Sequence, residues 1–211
     1  MDKFLKEWGL FLLIIAVIVL SRIFIWSLVI VDGHSMDPSL ADRERLVIVK
    51  PPFTSINRFD IVVAKETATD GTSKDIVKRV IGMPGDVIRF NHDQLTINSK
   101  IYPESYLKEF QEQLARGELS KTYGAYPLTN ELSEQSRNFF ISLANNTKAF
   151  TVDATGNSIF SVTVPDGQYF LMGDNRVLSQ DSRAVGTFNR SAIIGEAKLR
   201  IWPLNRLSAL N

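Results

Sequence analysis

The sequence predicts an all-β core that carries an inserted segment and is preceded by an apolar N-terminal helix. Three observations lead there: a charge-free apolar run near the start, a series of short β-branched runs broken by Gly, Pro, Asn and Asp, and a polar stretch that interrupts their regular spacing. The 211 residues, 45% hydrophobic and 22% charged, suffice for one substantial core plus a small appended module, and argue against disorder, collagen and multi-span membrane classes. Lys plus Arg at 24 against Asp plus Glu at 23 leaves a formal net charge of +1, so no broad basic field exists to attract nucleic acid. Cysteine is absent, which removes disulfide frameworks, thiolate–zinc sites, iron–sulfur clusters and thiol nucleophiles. With only His34 and His92, a histidine-rich metal site is not expected either, and the sequence calls for no cofactor. A nucleophile here must be an oxygen or an amine.

The first element is the run Gly9 to Leu20, flanked by Lys3, Lys6 and Glu7 on one side and Arg22 on the other. The charge-free stretch from Trp8 to Ser21 is about 21 Å long as a helix, short of a hydrocarbon core of roughly 30 Å unless Lys6 and Arg22 snorkel. A cleavable leader would end in small residues, and Ser21-Arg22-Ile23-Phe24-Ile25-Trp26 has no such pattern, so an uncleaved membrane anchor is expected. A buried helix in a soluble protein is the alternative, against which the N-terminal position weighs.

Strands are then expected at Ile23 to Val31, Leu46 to Val49, Asp60 to Ala64, Ile76 to Ile81, Asp86 to Phe90, Leu95 to Ile97, Ile159 to Val164, Gln168 to Met172 and Ala197 to Trp202. Glu104 to Leu119, with Tyr106, Leu107, Phe110 and Leu114 at helical spacing, reads as one amphipathic helix. The expected organisation is a tip and anchor at 1–22, a first part of the β core at 23–90, an inserted segment at 91–158 and the rest of the core at 159–211.

Three segments on this scaffold carry chemistry. In Gly33-His-Ser-Met-Asp-Pro-Ser-Leu40 a serine leaves a strand into a turn, where Gly33 permits a tight backbone approach and Ser35 can present its hydroxyl beside its own amide hydrogen; an ordinary Ser-rich turn is the plainer reading. In Asp75-Ile-Val-Lys-Arg-Val-Ile-Gly-Met-Pro-Gly-Asp86 a lysine interrupts an apolar strand. Burial of the Lys78 face would lower its pKa and make it a base, whereas a stem lying on the sheet with its head in water would leave it inert. Arg79 must find a carboxylate. In Gly173-Asp-Asn-Arg-Val-Leu-Ser-Gln-Asp-Ser-Arg183, two aspartates, two arginines and two serines can build an ion-paired loop that buttresses a site. Together they suggest serine–lysine acyl transfer.

At these three segments, and in its apolar N-terminus, the chain closely resembles the type I signal peptidases, the membrane-bound proteases that remove signal peptides from exported preproteins. The likeness covers roughly residues 1–103 and 159–202 and is nearest the Gram-positive branch. It implies a catalytic β fold of the kind also found in LexA-type repressors, with a β-rich second domain inserted. Ser35 corresponds to the nucleophile and Lys78 to the general base, while Ser179 would orient Lys78. The Ser35 amide would serve the oxyanion; a hydroxyl two residues earlier, present in some members, is replaced here by Gly33. Arg79, Asp174, Asp181 and Arg183 match positions that pair charges, and the position of His34 is not a base in the family. Substrates would be signal peptides with small residues at the first and third positions before the cut, bound against a strand edge in shallow pockets lined by Val29, Val31, Met36, Leu40 and Val77. The resemblance further implies contact with membrane lipid, an N-terminus in the cytoplasm and a catalytic part outside. A self-cleaving repressor would need a helix-turn-helix, which the sequence lacks; a non-catalytic anchored β module is the more distant alternative.

Overall fold

The computed structural model describes residues 2–68, 70–129 and 132–210. The side chains of Lys3 and Lys6, whose charge bears on topology, lie outside the described residues. Helix α1 (Asp2–Phe24) leads into β1 (Trp26–Ile30), β2 (Arg45–Val49), β3 (Ile61–Thr67), β4 (Ser73–Gly82), β5 (Val87–Asn91), β6 (Gln94–Ile97) and β7 (Lys100–Tyr102). A helical stretch follows, comprising α2 (Lys108–Ala115), α3 (Leu119–Ala125) and α4 (Glu134–Asn146). The chain closes with β8 (Ile159–Thr163), β9 (Gln168–Met172), the single-turn α5 (Ser182–Val185), β10 (Phe188–Asn189), β11 (Ile193–Trp202) and β12 (Ser208–Ala209).

The predicted strands fall where β-branched residues alternate into two antiparallel sheets. The larger has the order β1-β2-β11-β3-β4-β9-β10 with β12 on β11; the smaller has the order β7-β6-β5-β8. Ile81, Phe170 and Met172 of the larger sheet share one apolar cluster with Ile88, Phe90, Leu95 and Ile97 of the smaller, so the sheets bury a common face. β5 and β8, which flank the expected insertion on either side, thus belong to the smaller sheet.

Two expectations are corrected. The first strand does not begin at Ile23: α1 runs through Phe24, the amide of Ile25 still bonds to the carbonyl of Ser21, and pairing starts only at Trp26 against Val49. The single helix expected over Glu104 to Leu119 is broken, because Gly117 takes φ +67° and ends α2 before α3 starts a new direction. Leu107 and Phe110 still face inward, packing with Leu119, Tyr123 and Phe150 in a separate helical core.

Among the described residues, no helix is long and apolar enough to cross a membrane. α1 nevertheless stands away from the core with large apolar side chains in the open, Leu10 at 72% and Phe24 at 62% exposed.

Candidate active site

The turn after β1 brings Ser35 forward. Gly33 adopts φ +84°, a conformation open to glycine at little cost, and its amide donates to Asp42 Oδ1 at 2.9 Å. Beyond Ser35, Met36 and Leu40 are wholly buried with Val31, Leu46 and Ile48, which ties the turn to the core. Lys78 sits in β4, opposite Val62 of β3, and is 4% exposed. Its Nζ donates to Ser35 Oγ at 2.8 Å. Of the two outcomes open to a lysine in an apolar strand, burial is the one realised.

Burial pushes the Lys78 ammonium from its ordinary 10.5 down to about 8, against the opposing pull of Asp181 and Glu66. Once that proton is lost, the same contact reverses and the serine O–H donates to the amine. The pair can therefore move the proton of an attacking hydroxyl near neutral pH.

The loop after β9 lies against both groups. Gly173 is so closely packed that a Cβ there would fall 2.4 Å from the carbonyl oxygen of Ser35 and 2.5 Å from Cβ of Ser179. The Asn175 amide donates to the Ser35 carbonyl and its Nδ2 to the His34 carbonyl, each at 3.0 Å. Arg79 forms a two-pronged pair with Asp174 at 2.9 and 2.6 Å, and Arg183 does the same with Asp181 at 2.8 Å on each prong. Burial alone would raise the Asp181 carboxyl; Arg183, the Gly173 amide and Lys78 outweigh it and hold the group below the usual carboxylate range. Arg79 with Asp174 and Arg183 with Asp181, four residues that the resemblance assigns to charge pairing, thus form two buried ion pairs. Arg176, fully buried, binds Glu104 and, at 3.1 Å, Thr151 Oγ1, so it joins the two ends of the helical stretch to this loop.

Other residues sit differently from expectation. The Ser179 hydroxyl contacts the carbonyl of Gln180 at 3.5 Å and makes no hydrogen bond to Lys78. A cleft of about 550 Å³ runs past Ser35 and Lys78, walled by Val29, Val31 and Val77 and, from the helical stretch, by Leu132 and Phe140. Met36 and Leu40, expected in that lining, face the core instead, since the turn that carries Ser35 folds them beneath it. His34 pairs its Nδ1 with Asp37 Oδ2 at 2.9 Å. Sequence reasoning missed Asn175, Glu104 and the helical wall; a buried arginine signals that a partner exists, but no local pattern names one 72 positions away.

A half-buried hydroxyl held against a desolvated amine, on a mostly-β scaffold, is an arrangement that can support acyl transfer. The family model described as signal peptidase, peptidase S26, matches residues 5–202. Signal peptidase I of Streptococcus pneumoniae serotype 4 is 53% identical over 97% of this chain and 96% of its own, and signal peptidase I S of Bacillus subtilis 34% identical over 99% and 95%. A solved signal peptidase I from Enterococcus faecalis aligns with a TM-score of 0.45 at 23% identity, covering 68% of this chain and 97% of that one. The chain belongs to the signal peptidase family, peptidase S26.

Proposed function

We propose that this peptidase cleaves signal peptides from exported preproteins, with Ser35 as nucleophile and Lys78 as general base. The observation that carries the reading is the 2.8 Å contact between the Ser35 hydroxyl and an amine whose burial lowers its pKa to about 8. Ser35 Oγ adds to the scissile carbonyl carbon as its proton passes to Lys78 Nζ, and the oxygen that gains charge faces the Ser35 amide. The carbon–nitrogen bond then breaks and Lys78 hands its proton to the departing amine. Lys78 then takes a proton from a water that attacks the resulting ester, the carbon–Oγ bond breaks, Ser35 Oγ recovers its proton from Lys78 and the new carboxyl end leaves. Ser179 is assigned to hold the lysine in one rotamer when substrate is bound; its weak 3.5 Å contact leaves the hydroxyl little to lose on turning.

The substrate enters extended. β1 lies at the edge of its sheet, and β4 pairs with β9 only from Arg79 onward, so among the described residues no strand pairs with Ser73 to Lys78 on that side. The cleft borders both strands, and a peptide laid along it would find backbone partners and small valine-lined pockets. In the same reading, α1 seats its exposed apolar surface in lipid, the N-terminus lies in the cytoplasm and the catalytic part outside, and residues 91–158 form an inserted unit.

The test is preprotein cleavage by Ser35→Ala and Lys78→Ala. Each should abolish processing while leaving the protein folded, and the double variant should be little worse than either, because the two groups act as one unit. Near-normal turnover by Ser35→Ala would sink the assignment.

A further inference from the structure

The peptide unit between His34 and Ser35 is planar and trans-arranged, so whatever fixes the His34 carbonyl also aims the Ser35 N–H in the opposite direction. That carbonyl is held by Asn175 Nδ2 at 3.0 Å, and the next carbonyl, of Ser35 itself, by the Asn175 amide at 3.0 Å. A side-chain amide can flip, and a flipped Asn175 would set oxygen against the His34 oxygen. Tyr123 holds the side chain from its other end, its hydroxyl donating to Asn175 Oδ1 at 2.6 Å. Burial, followed by the charge of Asp37, pushes the Tyr123 phenol well above its ordinary range, so it remains a donor. The ring is 1% exposed, and Leu119, Phe110 and Phe150 hold it within the helical core.

We propose that Tyr123 is a positioning residue for the reaction, orienting the Ser35 amide toward the developing oxyanion through Asn175. The helical stretch thus takes part in turnover at a distance from the reacting atoms. This rests on Ser35 being the nucleophile.

Tyr123→Phe removes only the hydroxyl and keeps the ring. In the full-length protein, with kcat expressed per active site titrated by a serine-acylating probe, it should fall about 10- to 100-fold, less than the roughly 10²- to 10³-fold lost when an oxyanion donor is removed outright. KM for a synthetic peptide with Ala at both recognition positions should stay within about twofold, since the ground-state carbonyl gains little from that amide. A peptide boronate, which loads negative charge onto the same position, should lose affinity in step with kcat, an effect that general loosening of the fold would not give. Because unfolded molecules drop out of the titration, partial misfolding does not hide the result. Unchanged kcat, or raised KM with kcat unchanged, would overturn the proposal while Ser35→Ala stays inactive; turnover by Ser35→Ala would instead overturn the nucleophile on which it rests.

Discussion

Replacing Lys78 by Met should inactivate the protein and at the same time stabilise it. The fall of the amine from 10.5 to about 8 measures how poorly the folded state tolerates the charged form. At about 1.4 kcal/mol per tenfold change in proton affinity, this corresponds to about 3 kcal/mol. Below pH 8 the lysine is charged in both folded and unfolded chains, and the penalty is present in full. Between about 8 and 10.5 the folded molecule has released a proton that the unfolded one keeps, so stability rises with pH; above that window the penalty is gone. Met has similar length and no charge, so the Met variant should exceed the parent by about 3 kcal/mol at pH 7, with the gap closing toward pH 10.5. Urea unfolding of both proteins in the same detergent, followed by tryptophan fluorescence at several pH values, gives the difference directly. A Met variant less stable than the parent at pH 7, or a gap that does not change with pH, would refute the reasoning.

Two further outcomes follow from the same geometry. The pH profile of kcat/KM should show an acidic limb with its midpoint near 8, and Glu66→Gln, which removes a negative charge that favours the ammonium, should move that limb to lower pH by about half a unit; a limb that stays put in Glu66→Gln would contradict this electrostatic account. Gly173→Ala inserts a methyl 2.4 Å from the Ser35 carbonyl and should reduce kcat at least about 10-fold and stability by about 1–3 kcal/mol, measured by peptide hydrolysis and thermal unfolding; retained activity would mean the loop yields more easily than its packing implies.

The strands were legible because β-branched runs such as Asp60 to Ala64 have no other stable use in a half-buried sheet, and Lys78 stood out because every neighbour from Ile76 to Ile81 except Arg79 is apolar. Burial of both faces of β4 then decided what alternation alone left open. Illegible was what depends on distant partners. α4 gathers its apolar residues in the run Phe139 to Ala144, without helical alternation across its polar first turns, and buries only Ala144; its helical state follows from the Ser133 cap and from packing against α3. The motifs that carry the resemblance to a known family lie outside this stretch. The lining of the cleft was misjudged at Met36 and Leu40 because a turn, unlike a strand, has no alternation from which to read direction.

The unpaired borders of β1 and β4 also carry a hazard. A bare strand border will accept any extended chain, including one from a second copy of the same protein, and aggregation commonly begins in this way. Here the mouth of the cleft is studded with Glu66, Lys74 and Asp75, the latter two exposed, so a stranger's strand meets charges of both signs before it reaches the valines. In the proposed reading of the cleft, a short, uncharged, small-sided segment would pass between them with the least desolvation. Solubility and selectivity thus draw on the same few side chains, and a substitution made at Lys74 or Asp75 to widen substrate range would also lower the protein's resistance to clumping at high concentration.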